Sequence, residues 1–184
     1  MSLYLATREL HHACEQHPLG QRMSAGTISA QEWADWLMAF RTIHEAIDPH
    51  LPALLARVAL LDVDMATMRA MFGVAARLPA PAERFAQGIS DAAGEGEFTP
   101  PAVLGAAYVL HGAHRRGGQV LARMMGGIGY ASAHVIYPMP AAAEAFVKAL
   151  RDAEHLAPYA RATFAALLAV MDDIMKVDGS ASSW

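Results

Sequence analysis

Leu3, Thr7, Leu10 and Cys14 fall three or four residues apart, the interval that stacks side chains on one face of an α-helix. The run meets His17-Pro18-Leu19-Gly20, where proline removes an amide donor and glycine admits turn geometry, so a first helix is expected to stop there. Ser29-Ala30-Gln31-Glu32 has the form of a capping box, and Trp33, Trp36, Leu37, Phe40, Ile43 and Ile47 then hold one face until Asp48-Pro49. This second helix has the strongest start, stripe and stop signals in the chain. Pro52 opens a shorter apolar helix to about Leu61, Asp64 is placed to cap another through Arg77, and Pro81 opens a third to about Ala92.

Beyond the polar loop Gly94-Glu95-Gly96-Glu97, Thr99-Pro100-Pro101 starts a long helix to about Met125. A glycine-rich and aromatic segment from Gly126 to Pro140 precedes two last helices, about Ala141 to His155 and Pro158 to Val177. The expected architecture is one all-α domain over residues 1–177, with 178–184 a loose polar tail. No internal repeat and no second domain is read.

Composition narrows the possibilities. Apolar residues make up 54% of the 184, with Ala and Met abundant and few β-branched runs, which favours helix over strand. Lys and Arg total 14 against 18 Asp and Glu, a net charge of -4, so there is no excess of cations for a phosphate backbone and nucleic acid is not an expected partner. The single cysteine, Cys14, excludes an internal disulfide framework and any four-cysteine metal site, and fits a reducing cytoplasm. Apolar stretches are interrupted well short of the roughly 20 residues of a membrane span. No basic segment with an apolar run and cleavage site opens the chain, so a soluble, unexported protein without a membrane partner is expected.

Two features carry candidate chemistry. On the helical wheel His11 lies roughly 70° from the centre of the first apolar stripe and His12 roughly 170° from it. His11 therefore borders the interior while His12 faces water. Thr7 and Glu15 stand one turn from His11 on either side, able to hold one ring nitrogen and leave the other for a metal; a hydrogen-bonded boundary histidine is the plainer alternative. The long helix contains Gly105, Gly112, Gly117 and Gly118, and each interior glycine costs about 1 kcal/mol relative to alanine. Either close helix packing or the approach of a large flat ligand would offset that cost. His111, His114, Arg115 and Arg116 stand among these glycines. Cys14, on the apolar stripe, reads as a buried inert thiol, and His44 as a satisfied core histidine. No nucleotide-binding glycine loop, GxSxG, HExxH or CxxC motif is present.

Three segments resemble the heme oxygenase family. Ala6-Thr7-Arg8-Glu9-Leu10-His11 with Glu15 is similar to the proximal-helix pattern in which histidine ligates heme iron, and the likeness continues through helix two to about Asp48. Ala107-Tyr108-Val109-Leu110-His111-Gly112 and Gly117-Gly118-Gln119-Val120-Leu121 resemble the distal helix that lies across the heme face. Ala160-Arg161-Ala162-Thr163-Phe164 with Asp172-Asp173 resembles the C-terminal helix, where a basic residue pairs with a heme propionate. The resemblance implies a single-domain heme oxygenase-like helical bundle. The implied activity is oxidative cleavage of heme to biliverdin, CO and iron, with heme as both cofactor and substrate, O2 as co-substrate, and electrons from an external reductase or ferredoxin.

By that resemblance His11 is the iron ligand with Glu15 behind it, and Gly112, Gly117 and Gly118 cover the distal face. Tyr108 and Arg161 are implied at the propionates. Tyr4 stands where the family often has a propionate-binding lysine, and its hydroxyl would supply a neutral hydrogen bond there. Aligning on Gly117-Gly118 puts Ala113 at the first distal glycine and His114 where many members have a water-ordering aspartate. Aligning on Gly112 instead makes Gly117 the second glycine and sets Arg115-Arg116 where bacterial members often have Leu-Gly. Both alignments set two cations within a segment of small residues. A heme-binding protein of the same fold, serving storage, sensing or delivery, is the alternative that this departure keeps open. A thiaminase-type hydrolase is a third reading, for which the only cysteine sits on helix one.

Overall fold

The computed structural model describes residues 2–94 and 99–179, the side chains of 114–116 and 177–179 excepted. The described residues form α-helices α1 (Leu3–Gln16), α2 (Pro18–Ala25), α3 (Ala30–Ile47), α4 (Val58–Phe72), α5 (Ala80–Ala93), α6 (Pro101–Gly127), α7 (Pro140–Leu150) and α8 (Ala157–Gly179). Short 3-10 turns occupy Asp48–His50, Ala53–Leu55, Ala133–Val135 and Glu154–Leu156. Among the described residues there is no strand, and no helix is long and apolar enough to cross a membrane.

Helix α3 forms the centre because its stripe is the most completely apolar. Trp33, Leu37, Ile43 and Ile47 are fully buried in it, packed with residues of α4, α5, α6 and α8. Its start is the expected capping box: Ser29 Oγ accepts from the Glu32 amide at 3.2 Å and Glu32 Oε2 accepts from the Ser29 amide at 2.8 Å. Arg22 of α2 also donates to Glu32, so the cap ties two helices together. Around this centre α1 packs against α8, and α6 against α7 and α8.

Several local expectations are corrected. α1 stops at Gln16, as expected, but the turn expected at His17-Pro18-Leu19-Gly20 is a new helix: His17 caps it, its Nδ1 accepting from the Leu19 amide at 3.1 Å, with Pro18 in the first turn. Gly20 is needed for approach rather than for a turn: a Cβ there would sit 2.3 Å from the Cys14 carbonyl oxygen. The helix expected from Pro52 to Leu61 is broken after the 3-10 turn at Ala53–Leu55. The buried Arg57 guanidinium donates to the carbonyls of Leu54, Leu55 and Ile136 at 2.9, 3.1 and 3.0 Å, holding this stretch out of helical register.

Asp64 starts no helix. It lies inside α4, buried, and accepts from the amides of Ala133 and His134 at 2.8 and 3.0 Å. The start of α4 is held instead by Asp48, whose Oδ2 accepts from the amides of Arg57 and Val58 at 2.6 and 3.1 Å. Further along, α7 stops at Leu150, short of the expected His155, and α8 continues to Gly179, past the expected Val177. The rest of the expected tail, 180–184, lies outside the described residues.

Candidate functional site

A cleft of about 1280 Å³ opens between α1 and α8 on one side and α6 on the other, with Trp36 and Phe40 of α3 among its apolar lining. Leu3 and Ala6 turn into the bundle, and Tyr4, Arg8, His11 and Glu15, spaced four, three and four residues apart, are among the α1 residues bordering the cleft. The His11 side chain is 51% exposed, its Nδ1 lies 3.5 Å from Glu15 Oε1, and its ring meets Phe164 edge-on at 5.8 Å. With the carboxylate at Nδ1, Nε2 is the nitrogen left for a ligand. His12 is more exposed, as its wheel position requires, yet it also borders the cleft and lies 3.8 Å from the other Glu15 oxygen.

Cys14 lines the cleft as well. Burial, with a smaller contribution from Glu15, pushes its thiol up to about 11, so it is held neutral and unreactive.

The glycines of α6 divide into two kinds. A Cβ at Gly105 would lie 2.5 Å from Tyr159 Cβ, so this glycine lets α8 pack closely. Gly112, Gly117 and Gly118 line the cleft. A Cβ at Gly112 would make only an ordinary contact, 3.7 Å from Val147, and one at Gly117 would meet nothing within 4 Å. Helix packing therefore accounts for Gly105, while no contact among the described residues accounts for Gly117. His114 continues the α6 backbone, but its side chain, like those of Arg115 and Arg116, lies outside the described residues.

At the cleft mouth stand Tyr4, 58% exposed, and the half-buried Tyr108, whose phenol is pushed up mainly by burial while the Arg151 charge pulls it down. Arg8 and Arg151 border the cleft. Arg161 does not: it is exposed on α8 and its Nη1 donates to the Ala6 carbonyl at 3.1 Å. Sequence reasoning missed both bordering arginines. Arg8 was legible, one turn before His11 on the same face; Arg151 was not, since it depends on where α7 ends.

Behind the α6 wall lies a polar layer that sequence reasoning also missed. His111 is fully buried, its Nδ1 2.6 Å from Tyr137 Oη and its ring 5.4 Å from that of His44. His44 is equally buried, with Nδ1 2.9 Å from Asp48 Oδ1, and His134 Nδ1 lies 2.7 Å from Asp64 Oδ2. Desolvation pushes His111 down to about 3 and also lowers His44, so both imidazoles are neutral and uncharged behind the cleft. Arg57 closes the layer, 3.8 Å above the Tyr137 ring. His44 lies in the core, as expected, with its Nδ1 held by Asp48.

The site thus offers a carboxylate-backed imidazole, an opposite wall thinned by glycine, an apolar interior and two arginines, Arg8 and Arg151, at its border. That donor set suits a flat, largely apolar ligand with a metal at its centre and carboxylates at one edge. No family model matches the chain, and no curated protein matches it in sequence. Solved structures do match. Heme oxygenase-1 from the cyanobacterium Synechocystis sp., in complex with heme, superposes with a TM-score of 0.76 at 14% identity, over 97% of this chain and 95% of that one. Heme oxygenase from Leptospira interrogans gives 0.76 at 17% identity, over 92% and 96%. Heme oxygenase-2 from Synechocystis sp., in complex with heme and NO, gives 0.77 at 15%, over 98% and 86%. The chain has the all-α heme oxygenase-like fold.

Proposed function

We propose that the protein binds heme in the cleft between α1 and α6 and cleaves it to biliverdin, CO and iron, taking up O2 and electrons from an external reductase or ferredoxin. One observation carries the reading: His11, with Glu15 at its Nδ1, lines the same cleft as Gly117, where a Cβ would meet nothing within 4 Å among the described residues. In this reading His11 Nε2 holds the iron and Glu15 keeps Nδ1 protonated, fixing the tautomer. When bound, heme supplies the redox chemistry and is itself the molecule consumed. The polypeptide binds it, orients it and keeps water from its apolar faces.

Gly112, Gly117 and Gly118 keep the opposite wall thin enough for a macrocycle, and Trp36 and Phe40 supply apolar surface. His114 is assigned to the distal side through the Gly117-Gly118 alignment. Arg8, Arg151, Tyr4 and Tyr108 supply charge-assisted and neutral hydrogen bonds to the propionates at the mouth, contacts worth about 1.5 to 3 kcal/mol each for the arginines. Arg161, outside the cleft lining, acts in this reading by steadying α1 through its bond to the Ala6 carbonyl. The neutral histidine layer keeps uncompensated charge away from the apolar interior. Within this proposal the protein works in the cytoplasm, where its single thiol stays reduced.

The test is titration of hemin into the purified protein with the Soret band recorded, followed by ascorbate, or ferredoxin with its reductase, under air. Saturable one-to-one binding and appearance of biliverdin with release of CO support the proposal. Binding without turnover supports the storage, sensing or delivery alternative, which the sequence motivates through Arg115-Arg116 between the distal glycines. Failure to bind heme overturns both.

A further inference from the structure

Trp33 and Trp36 lie about one turn apart on α3, and their indole N–H groups are treated differently. Trp33 is fully buried and its Nε1 donates to the Ala131 carbonyl at 2.9 Å. Trp36 is only 5% exposed, yet its Nε1 donates to nothing among the described residues. A buried indole ordinarily finds an acceptor, because burial strips the polar end of the ring of its hydration. Unlike His111 Nε2, which is sealed from solvent, Trp36 Nε1 keeps some exposure, and Trp36 lines the cleft. The unused donor therefore faces the cleft.

Of the buried side chains that line the cleft, Thr7 and Trp36 are the two among the described residues with a hydrogen-bond donor. Thr7 is already spent, since its Oγ1 donates to the Leu3 carbonyl at 2.8 Å. The rest of the buried lining includes Phe40, Val109, Phe164, Leu167 and Met171, all apolar. The Phe40 ring lies 4.6 Å from that of Trp36, tilted by 40°, and packs against it, which limits the rotation of the indole. While the cleft is open, solvent satisfies the N–H. A flat apolar ligand that fills the cleft removes that solvent and offers only carbon in its place, so the donor is stranded unless something brings it an acceptor. The carboxylates of such a ligand are matched by Arg8 and Arg151 at the border, not by α3.

With heme as the ligand of the cleft, the reading on which this rests, we propose that Trp36 Nε1 is the hydrogen-bond donor for a small anionic or dipolar molecule held beside the macrocycle. An indole N–H donates and cannot accept, so it selects a molecule that turns a lone pair toward α3. Anions of two or three atoms, such as azide or cyanide, have that chemistry. Because the donor is neutral, it adds no charge to the apolar interior, and because the ring is held by Phe40 it is oriented before the molecule arrives.

Azide titrated into the ferric hemin complex of the full chain, with Trp36→Phe beside the wild type, tests this. Phenylalanine keeps an aromatic ring against Phe40 and removes the N–H. Azide affinity should fall by roughly ten-fold or more beyond any loss in affinity for hemin itself, the effect of one hydrogen bond to a charged acceptor. Hydrogen exchange of the indole N–H groups, followed by NMR in the apoprotein, reads the same donor without heme. Trp36 should exchange faster than Trp33, whose N–H is held by Ala131, and should become protected once azide joins the hemin complex. Should Trp36→Phe fail to fold, exchange in the wild type still decides. Equal protection of the two indoles in the apoprotein overturns the proposal, and so does azide affinity indifferent to Trp36→Phe, while the heme reading stands in both cases. A protein that binds no hemin overturns that reading and this proposal together.

Discussion

Replacing Gly117 by leucine separates a glycine kept for a ligand from a glycine kept for packing. In the apoprotein a Cβ at this position meets nothing within 4 Å, so the substitution creates no clash and exchanges the poorest ordinary helix former for a good one. The gain is about 0.7 kcal/mol, which for a chain of this size raises the apoprotein melting temperature by roughly 1 to 3 °C. With heme bound, the same side chain occupies space the macrocycle needs. Overpacking of this kind costs about 1 to 3 kcal/mol, or roughly a 5- to 150-fold loss of heme affinity.

Circular dichroism melts of the apoprotein and Soret titrations with hemin read the two effects separately. Gly105→Leu is the control of opposite sign: with Tyr159 Cβ at 2.5 Å, it should lower apoprotein stability by several degrees through the α6–α8 contact. A Gly117→Leu variant that melts lower than the wild type, or binds heme unchanged, refutes the assignment of this glycine to the ligand face.

His11→Ala should abolish the histidine-ligated heme spectrum, while His12→Ala, on the exposed rim, should leave it nearly unchanged; loss of the spectrum in the His12 variant alone reverses the assignment. Arg151→Ala should weaken heme binding by roughly one to two orders of magnitude, from a lost charge-assisted contact of about 1.5 to 3 kcal/mol, and should change the biliverdin isomer ratio. Arg161→Ala, measured beside it, should act more weakly because its guanidinium is engaged by the Ala6 carbonyl; a larger effect at Arg161 would place the propionates against α8. Stability of the apoprotein should fall on acidification from about pH 6.5 toward 3. The reason is that His111 is pushed down to about 3 in the fold, so the unfolded chain binds the extra proton throughout that window. One such group contributes a slope of up to about 1.4 kcal/mol per pH unit, and urea titrations of His111→Phe should show that slope reduced.

The capping box at Ser29 and Glu32 and the stripe from Trp33 to Ile47 were legible in the sequence because a helix start and an amphipathic face are decided by residues within a few turns of one another. The same holds for Pro101 at the start of α6 and for Tyr4, Arg8, His11 and Glu15, which share a face of α1 through spacing alone. The resemblance of the proximal and distal segments to heme oxygenases carried the fold class for the same reason: those motifs are contiguous.

What spacing could not reveal was decided by contacts between distant segments. Asp64 has the sequence context of a cap, yet its partners are the amides of Ala133 and His134, and Asp48 at the end of α3 holds the first turn of α4 instead. The glycines of α6 look alike in the sequence; Tyr159 on α8 makes Gly105 a packing position, and the space beside Gly117 makes it part of the cleft. Arg161 and Arg151 exchange prominence only once α7 is seen to stop at Leu150 and α8 to set Arg161 against Ala6. Local periodicity determines which face of a helix is apolar. Which helix meets that face, and which polar groups are buried with it, depends on the joint packing of the helices, because a buried donor or charge must find its partner wherever the fold brings one.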